Sequence, residues 1–255
     1  MNNFVCINPG AKIGANVQIG PFTTIDDNVE IGDGCRIGSN VTILSGARIG
    51  KNVTIFPGAV ISAIPQDLKF RGEDTQAFIG DNTVLRECVT VNRGTAAKGR
   101  TVVGSNCLIM AYCHVAHDCI VGNNVIISNA TQLAGEVEVD DFAVIGGGSL
   151  VHQFCHIGSH VMLQGGALVN KDIPPFVKAA REPISYTGIN SIGLHRRGFS
   201  AEAIARIQEI YRMIYASGLN VTDAVARIEA VVESSPERDI IINFIRGSQR
   251  GIIRG

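Results

Sequence analysis

The sequence predicts a parallel β-helix of hexapeptide repeats followed by a small α-helical C-terminal domain, and three observations carry that expectation. Stepping by six from Ile7 meets Ile13, Ile19, Ile25, Ile31, Ile37, Ile43, Ile49, Ile55 and Ile61 without a break. The same step resumes at Ile79, Leu85 and Val91, then runs from Val103 to Val169. Beyond Pro174 and Pro175 the apolar period becomes helical. A fixed period of six marks a repeat architecture in which each unit supplies one short extended wall. Neither a heptad nor a 3.6-residue period returns the Ile set to one face.

Each unit has a physical logic. The branched aliphatic points inward, Gly often follows it, and the residue at offset four is small or apolar, as in Ile49-Gly50-Lys51-Asn52-Val53 and Val121-Gly122-Asn123-Asn124-Val125. β-Branched residues suit extended walls, while Gly and Asn tolerate the positive φ of sharp corners. Three units close one triangular coil, so residues 18 apart become neighbours about 4.8 Å from one another.

In the 255-residue chain, 45% apolar and 18% charged residues allow a substantial core. A net charge of −1 gives no general attraction to nucleic acid or to an anionic membrane. Aromatic residues make up only 5% and Trp is absent, which fits a narrow coil filled by aliphatics. Of the seven Cys, Cys35, Cys107, Cys113, Cys119 and Cys155 all fall at offset four, where Val or Ala stands elsewhere. They read as small buried hydrophobes. The start, MNNFVCINPGAKIG, lacks a signal-peptide pattern, and no apolar run approaches a membrane span. The expectation is a reduced, soluble, cytoplasmic protein.

In chain order, residues 1–173 read as coil, with loops at 62–78 and 94–100. Only Asp67, Glu73 and Ala97 stand in the six-residue register without being Ile, Leu or Val, so the wall must be left there. The first loop, SAIPQDLKFRGEDTQAF, is either a binding loop offering Gln66, Asp67 and Lys69 or a solvated excursion. Pro174 and Pro175 are expected to end the coil, because proline cannot continue a ladder. Residues 174–198 read as an irregular linker, and 199–255 as the helical domain, packed on its own coil or a neighbour's. Ser200 can cap a first helix with Ile204, Ile207, Ile210, Tyr211 and Ile214 on one face and Gly218 as its stop. A second spans Thr222 to Val232, and Ser235-Pro236 opens a third.

Chemistry concentrates in the second half of the coil, which holds five of the six His residues. Adding 18 to His117 gives Gly135, and 18 more gives Gln153; the next column is Asp118, Glu136 and Phe154. An imidazole, a bare backbone N–H and a carboxamide therefore share one row. An imidazole can take a proton from an alcohol, an adjacent carboxylate can fix its tautomer, and a preorganised N–H can receive an oxyanion. These are parts for acyl transfer to a hydroxyl. A metal reading is disfavoured: His152, His156 and His160 take three different offsets, and His114 and His117 also differ from each other, so they diverge. From the residues alone, Arg196 and Arg197 read as a solvated turn before Ser200.

The runs HVAHDCIVGNN, LAGEVEVDDFAVIGG, VHQFCHIGSHVM and GINSIGLHRRGFS, with IPQDLKFRGE and RECVTVNRGT, resemble the UDP-N-acetylglucosamine acyltransferases that open lipid A biosynthesis. The resemblance spans essentially the whole chain. It implies a left-handed parallel β-helix, a homotrimer with active sites between subunits, and no cofactor or metal. It also implies transfer of a 3-hydroxyacyl group from acyl carrier protein to the 3-hydroxyl of UDP-N-acetylglucosamine. Carried onto this sequence, His117 is the general base, Asp118 its support and the Gly135 N–H the oxyanion donor. Asp67 and Lys69 contact the sugar; Gln66, His114, His152 and Gln153 line the pocket; Leu168 lies in the acyl-chain groove. Asn190, Arg196 and Arg197 address the nucleotide, where paired Arg side chains suit a pyrophosphate. Asn92 and Glu136 depart from the His that better-known members often carry, and at Glu136 a sugar-contacting donor becomes an acceptor. Lys171, Lys178, Arg181, Arg246, Arg250 and Arg254 are candidates for meeting the acidic carrier protein. The rivals are a related N-acyltransferase on a UDP-amino sugar, a trimeric β-helix metal hydratase and a non-catalytic β-helix.

Overall fold

The computed structural model describes residues 4–255; residues 1–3 of the expected coil lie outside the described part. Strands mostly two residues long, such as Thr24–Ile25 and Val144–Ile145, stack into three sheets of nine, eight and ten strands. Successive strands enter successive sheets, so the chain winds around a prism. Pairing is parallel at the expected step of 18, as for Ile25 with Ile43 and Val121 with Val139. Inside, Ile43, Ile109, Ile127, Leu133 and Ile145 are fully buried, each contributing about 1.5–3 kcal/mol of transfer free energy. The five offset-four cysteines fill the same interior.

The two breaks keep the period because they are whole numbers of repeats. Ile79 pairs with Ile49, a step of 30 (79 − 49), so the first loop adds 12 residues to a coil. Val103 pairs with Ile79, a step of 24 (103 − 79), so the second adds six. The first is tighter than the sequence suggests, and the second has the expected length but lies one residue earlier. Flanking strands run to Ala63 and from Gln76 around the first, and to Asn92 and from Arg100 around the second.

The corner chemistry differs from expectation in one respect. Positive φ falls on the residue three after the inward aliphatic, as at Asn52 (55°) and Asn124 (56°), and not on the Gly that follows it directly. That Gly answers to a close approach instead. A β-carbon on Gly32 would sit 2.6 Å from the Gly50 carbonyl oxygen of the next coil. Asp118 (60°) and Glu136 (60°) occupy the same left-handed slot that Asn holds elsewhere.

Pro174 and Pro175 do not end the wall. Val177–Ala180 adds to the third sheet in parallel with Met162–Leu163, and Ser185–Ile189 returns antiparallel beside it. The prolines are tolerated because Pro175 stacks at the corner above Gly158, where no ladder N–H is required. The expected irregular linker is therefore two strands and the short helix α1 (Ser191–Arg196). Helices α2 (Ala201–Ala216), α3 (Val221–Val231) and α4 (Pro236–Gly247) follow. Their caps are Ser200, Asn220 and Ser235, so α3 begins one residue before Thr222. Ile207, Ile210, Tyr211 and Ile214 are buried, whereas Ile204 is only partly so. The domain packs on its own coil: the Tyr211 hydroxyl donates to Pro175 O, and Ile253 N–H to Asp172 O.

Candidate active site

A cleft of about 590 Å³ lies on the outer face of the first sheet. Its floor follows from the pleat. One outward column of that sheet reads Thr90, His114, Gln132, Leu150 and Leu168 in register, changing from polar to apolar toward the C-terminal end. Leu150 and Leu168 are about half exposed, at 48% and 51%. His117, Gly135 and Gln153 border the cleft at the corner between the first and second sheets.

His117 and Asp118 form a defined pair. His117 Nδ1 lies 2.8 Å from Asp118 Oδ2. Asp118 is fully buried and its carboxylate also receives the Thr95 hydroxyl and the N–H groups of Thr95 and Lys98. Burial pushes this carboxyl upward, but the hydrogen bonds from Thr95, His117 and Lys98 outweigh it and hold the group below its ordinary value. An ionised carboxylate only accepts, so Nδ1 carries a proton toward it, and in the neutral form of the ring Nε2 is the nitrogen with the lone pair.

Gly135 meets that ring. A β-carbon at residue 135 would lie 2.6 Å from both His117 Cε1 and Nε2. The backbone bonds on either side, Ala134 N–H to Val151 O and Glu136 N–H to His117 O, skip Gly135, whose N–H has no acceptor among the described residues. His114 stands on the adjacent wall with Nδ1 2.7 Å from the Thr90 hydroxyl. Desolvation, then repulsion from His117, lowers its pKa, so it faces the cleft as a neutral ring.

The structure brings together Gln66, His114, His117, Gly135, His152, Gln153 and Leu168 around one cleft, with Asn92 beside them. Asn92 is buried and donates to Ile64 O at 3.1 Å, anchoring the root of the first loop. Other expected residues fall elsewhere. Asp67 spends its carboxylate on the Lys69 N–H at 2.9 Å, within the loop, and neither residue lines the cleft. Glu136 turns around the corner into a separate cavity of about 200 Å³ with Lys98, Glu138 and His156, because its left-handed slot faces the second sheet. Asn190 caps α1 and donates to His160 O, while the Arg197 guanidinium lies 4.5 Å over the Phe142 ring. Asn190, Arg196 and Arg197 thus sit toward a different edge of the prism from His117 of the same chain.

The histidines diverge as their offsets require. His156 Nε2 pairs with Asp140 at 2.8 Å, and His160 stacks between Phe142 and Phe176. Among the described residues, no group of three or more His, Cys, Asp or Glu side chains is arranged to hold a metal ion. Nor is any helix long and apolar enough to cross a membrane. Thr95 was not anticipated from the sequence. It lies 23 residues before Asp118, off the 18-residue step, and becomes a neighbour only because the second loop stretches its coil to 24.

A coil of six-residue units with a histidine-bearing cleft on its wall defines a hexapeptide-repeat transferase. The bacterial transferase hexapeptide model matches residues 10–45, 28–63 and 100–135, and the model described as domain 2 of UDP-N-acetylglucosamine O-acyltransferase matches residues 172–253. An acyl-(acyl-carrier-protein)-UDP-N-acetylglucosamine O-acyltransferase of Janthinobacterium sp. (strain Marseille) is 49% identical over 253 residues, covering 97% of each chain. Its counterpart in Thiobacillus denitrificans is 47% identical over 249 residues, covering 97% of this chain and 96% of that one. The crystal structure of a UDP-N-acetylglucosamine acyltransferase from Bacteroides fragilis 9343 superposes with a TM-score of 0.97 at 57% identity over the full length of both chains. The chain belongs to this family of acyl-carrier-protein-dependent O-acyltransferases, and its coil is a left-handed β-helix.

Proposed function

We propose that this enzyme moves a 3-hydroxyacyl group from acyl carrier protein to the 3-hydroxyl of UDP-N-acetylglucosamine, the first step of lipid A biosynthesis, with His117 as general base. The observation that carries the mechanism is the His117–Asp118 contact with Gly135 against the ring. His117 Nε2 takes the proton of the sugar hydroxyl as its oxygen attacks the carrier thioester carbonyl. The Gly135 N–H receives the developing oxyanion, and Asp118 stabilises the imidazolium. The tetrahedral intermediate then expels the carrier thiol, which leaves with the proton held on Nε2.

His114, Gln66, His152 and Gln153 surround the reacting sugar, and the acyl chain runs along Leu150 toward Leu168. The nucleotide is met by Asn190, Arg196 and Arg197 of a neighbouring copy in a homotrimer, a reading supported by their distance from the cleft of their own chain. Asp67 and Lys69 reach the sugar by rearrangement of the first loop. The carrier protein docks near the apolar end of the cleft, where Arg250 Nε donates to the carbonyl of the cleft residue Asn170 and Lys171 Nζ reaches Arg250 O. Lys178, Arg181 and Arg254 are further carrier-binding residues in this reading, as is Arg246, which pairs with Glu229 in the free chain. The chemistry needs only protein groups, and its two substrates place it in the cytoplasm.

The test is an assay of the purified protein with UDP-N-acetylglucosamine and a panel of 3-hydroxyacyl carrier proteins of differing chain length, read by mass spectrometry. The product should gain one 3-hydroxyacyl mass as an ester. Transfer only to an amine-bearing UDP-sugar would overturn the reading.

A further inference from the structure

The carboxylate that orients His117 is itself held by a loop outside the repeat. Strands stop at Asn92 and resume at Arg100, and the intervening turn folds over the corner that contains Asp118. Thr95 makes the closest contact. Its hydroxyl donates to Asp118 Oδ2 at 2.6 Å, the same oxygen that accepts from His117 Nδ1. Its N–H lies 3.0 and 3.2 Å from the two carboxylate oxygens, and the Lys98 N–H lies 3.2 Å from Oδ1.

That hydroxyl has a fixed direction. Asp118 can only accept, so the Thr95 proton points at Oδ2, while the oxygen accepts the Ala97 N–H at 3.1 Å. The loop is closed by Gly99 N–H on Thr95 O at 2.7 Å and fastened to the second strand beyond its own by Lys98 Nζ on Glu138 at 2.8 Å. Thr95 is 7% exposed and Asp118 is fully buried, so water does not substitute for these donors.

We propose that Thr95 is a positioning residue for acyl transfer: its hydroxyl and N–H lock the Asp118 carboxylate in place and thereby set the tautomer and aim of His117. This rests on His117 acting as the base. With donors from the loop on the remaining sides, the carboxylate leaves one direction on Oδ2 for the imidazole. Removing the hydroxyl leaves only the loop N–H groups to hold the carboxylate and takes a donor off Oδ2, so the charge returned to that oxygen stabilises the imidazolium more strongly. The acid limb of the kcat profile then moves to higher pH, because the base must be neutral to act. The other groups near the pair are Glu136, whose N–H donates to His117 O, His114 on the first sheet, Lys98 on the loop, Glu138 on the second sheet and the Cys119 thiol inside the coil. They are unchanged in the variants, so the movement reads Thr95 alone.

The experiment compares Thr95→Val, Thr95→Ser and His117→Ala across pH, with thermal melting as the control for folding. Thr95→Val should lower kcat about tenfold to hundredfold, the range for a lost hydrogen bond to a charged group, with KM changed by less than about twofold. Its acid limb should move upward, and Thr95→Ser should restore both rate and limb. A folded Thr95→Val enzyme with parental rate and limb would overturn the proposal. So would a rate loss that leaves the limb in place and is not recovered by Ser. If His117→Ala keeps normal turnover, the general-base reading fails first and takes this one with it. If His117→Ala is inactive while Thr95→Val is parental, only the role of Thr95 is refuted.

Discussion

The imidazole of His117 occupies the space that a side chain on Gly135 would need, since a β-carbon there would lie 2.6 Å from Cε1 and Nε2. Two consecutive coils are thereby joined at the point where the proposed base and the proposed oxyanion donor meet. Gly135→Ala should displace the ring while leaving the buried columns intact. We expect kcat to fall about hundredfold, the scale set by losing an oxyanion contact, with little change in melting temperature. A Gly135→Ala enzyme of parental kcat would show that the ring tolerates a methyl group there.

His117→Ala and Asp118→Asn should separate chemistry from stability. The His117 side chain borders the cleft, outside the aliphatic core, so its loss should lower turnover by about 10²–10⁴-fold with the fold kept. Asp118 is buried and accepts from Thr95, Lys98 and His117, so an Asn amide would present its NH₂ to donors. Asp118→Asn should therefore lose both turnover and melting temperature, by about 1–3 kcal/mol in stability. Equal melting curves for the two variants would count against this division.

The legibility of this molecule follows from its period. His117, Gly135 and Gln153 stand 18 residues apart, and the cleft holds all three. The same arithmetic, taken from Leu168 back to Leu150, reaches the second apolar residue of the groove. What it could not resolve is which way each corner residue faces. Glu136 is one position beyond Gly135, yet its left-handed backbone turns it toward another cavity. The loops escaped for a different reason. Thr95 touches Asp118 only after six inserted residues fold back, and no repeat encodes that path. The strands after Pro175 are not legible because proline ordinarily breaks a ladder, whereas here it stands at a corner that needs none.

Stability should fall in mild acid through His160. Its ring stacks on Phe142 and Phe176 with Phe199 edge-on, and desolvation there, reinforced by Arg197 and opposed by Asp141, lowers its pKa to about 4. Above the ordinary value of 6.5 neither state binds the proton, so no penalty exists. Between 6.5 and 4 the unfolded chain takes it up and the folded one does not, so stability drops as pH falls through that window. The loss is on the order of 2 kcal/mol after allowing for partial exposure. His156, raised by Asp140 against its own desolvation, acts in the opposite sense and is common to both proteins compared. Among the described residues His160 Nδ1 has no hydrogen-bond partner, so His160→Phe removes the titration without breaking a bond there. Its melting temperature should depend less on pH between 6.5 and 4 than the parent's; identical slopes would exclude His160 as the source.

Arg197 stacks on Phe142 at the edge between the second and third sheets, whereas His117 stands at the edge between the first and second. One chain therefore does not assemble both ends of the proposed site, and in the proposed homotrimer a neighbour would supply the missing end. The consequence is complementation between two damaged chains. His117→Ala alone should be nearly inactive, and Arg197→Ala alone should raise KM for UDP-N-acetylglucosamine about tenfold or more through loss of a charge-assisted contact to the pyrophosphate. In a trimer containing both kinds of chain, some interfaces pair an intact His117 with an intact Arg197. Those sites should work at the parental KM, which neither variant shows by itself. The two chains are co-expressed with different tags, purified through both, and compared with an equal mixture of the separately purified variants. Activity at low sugar-nucleotide concentration should be higher in the co-expressed sample. Equal activity in the two samples would mean that His117 and Arg197 serve one site from the same chain, and the proposed division of the site between subunits would have to be abandoned.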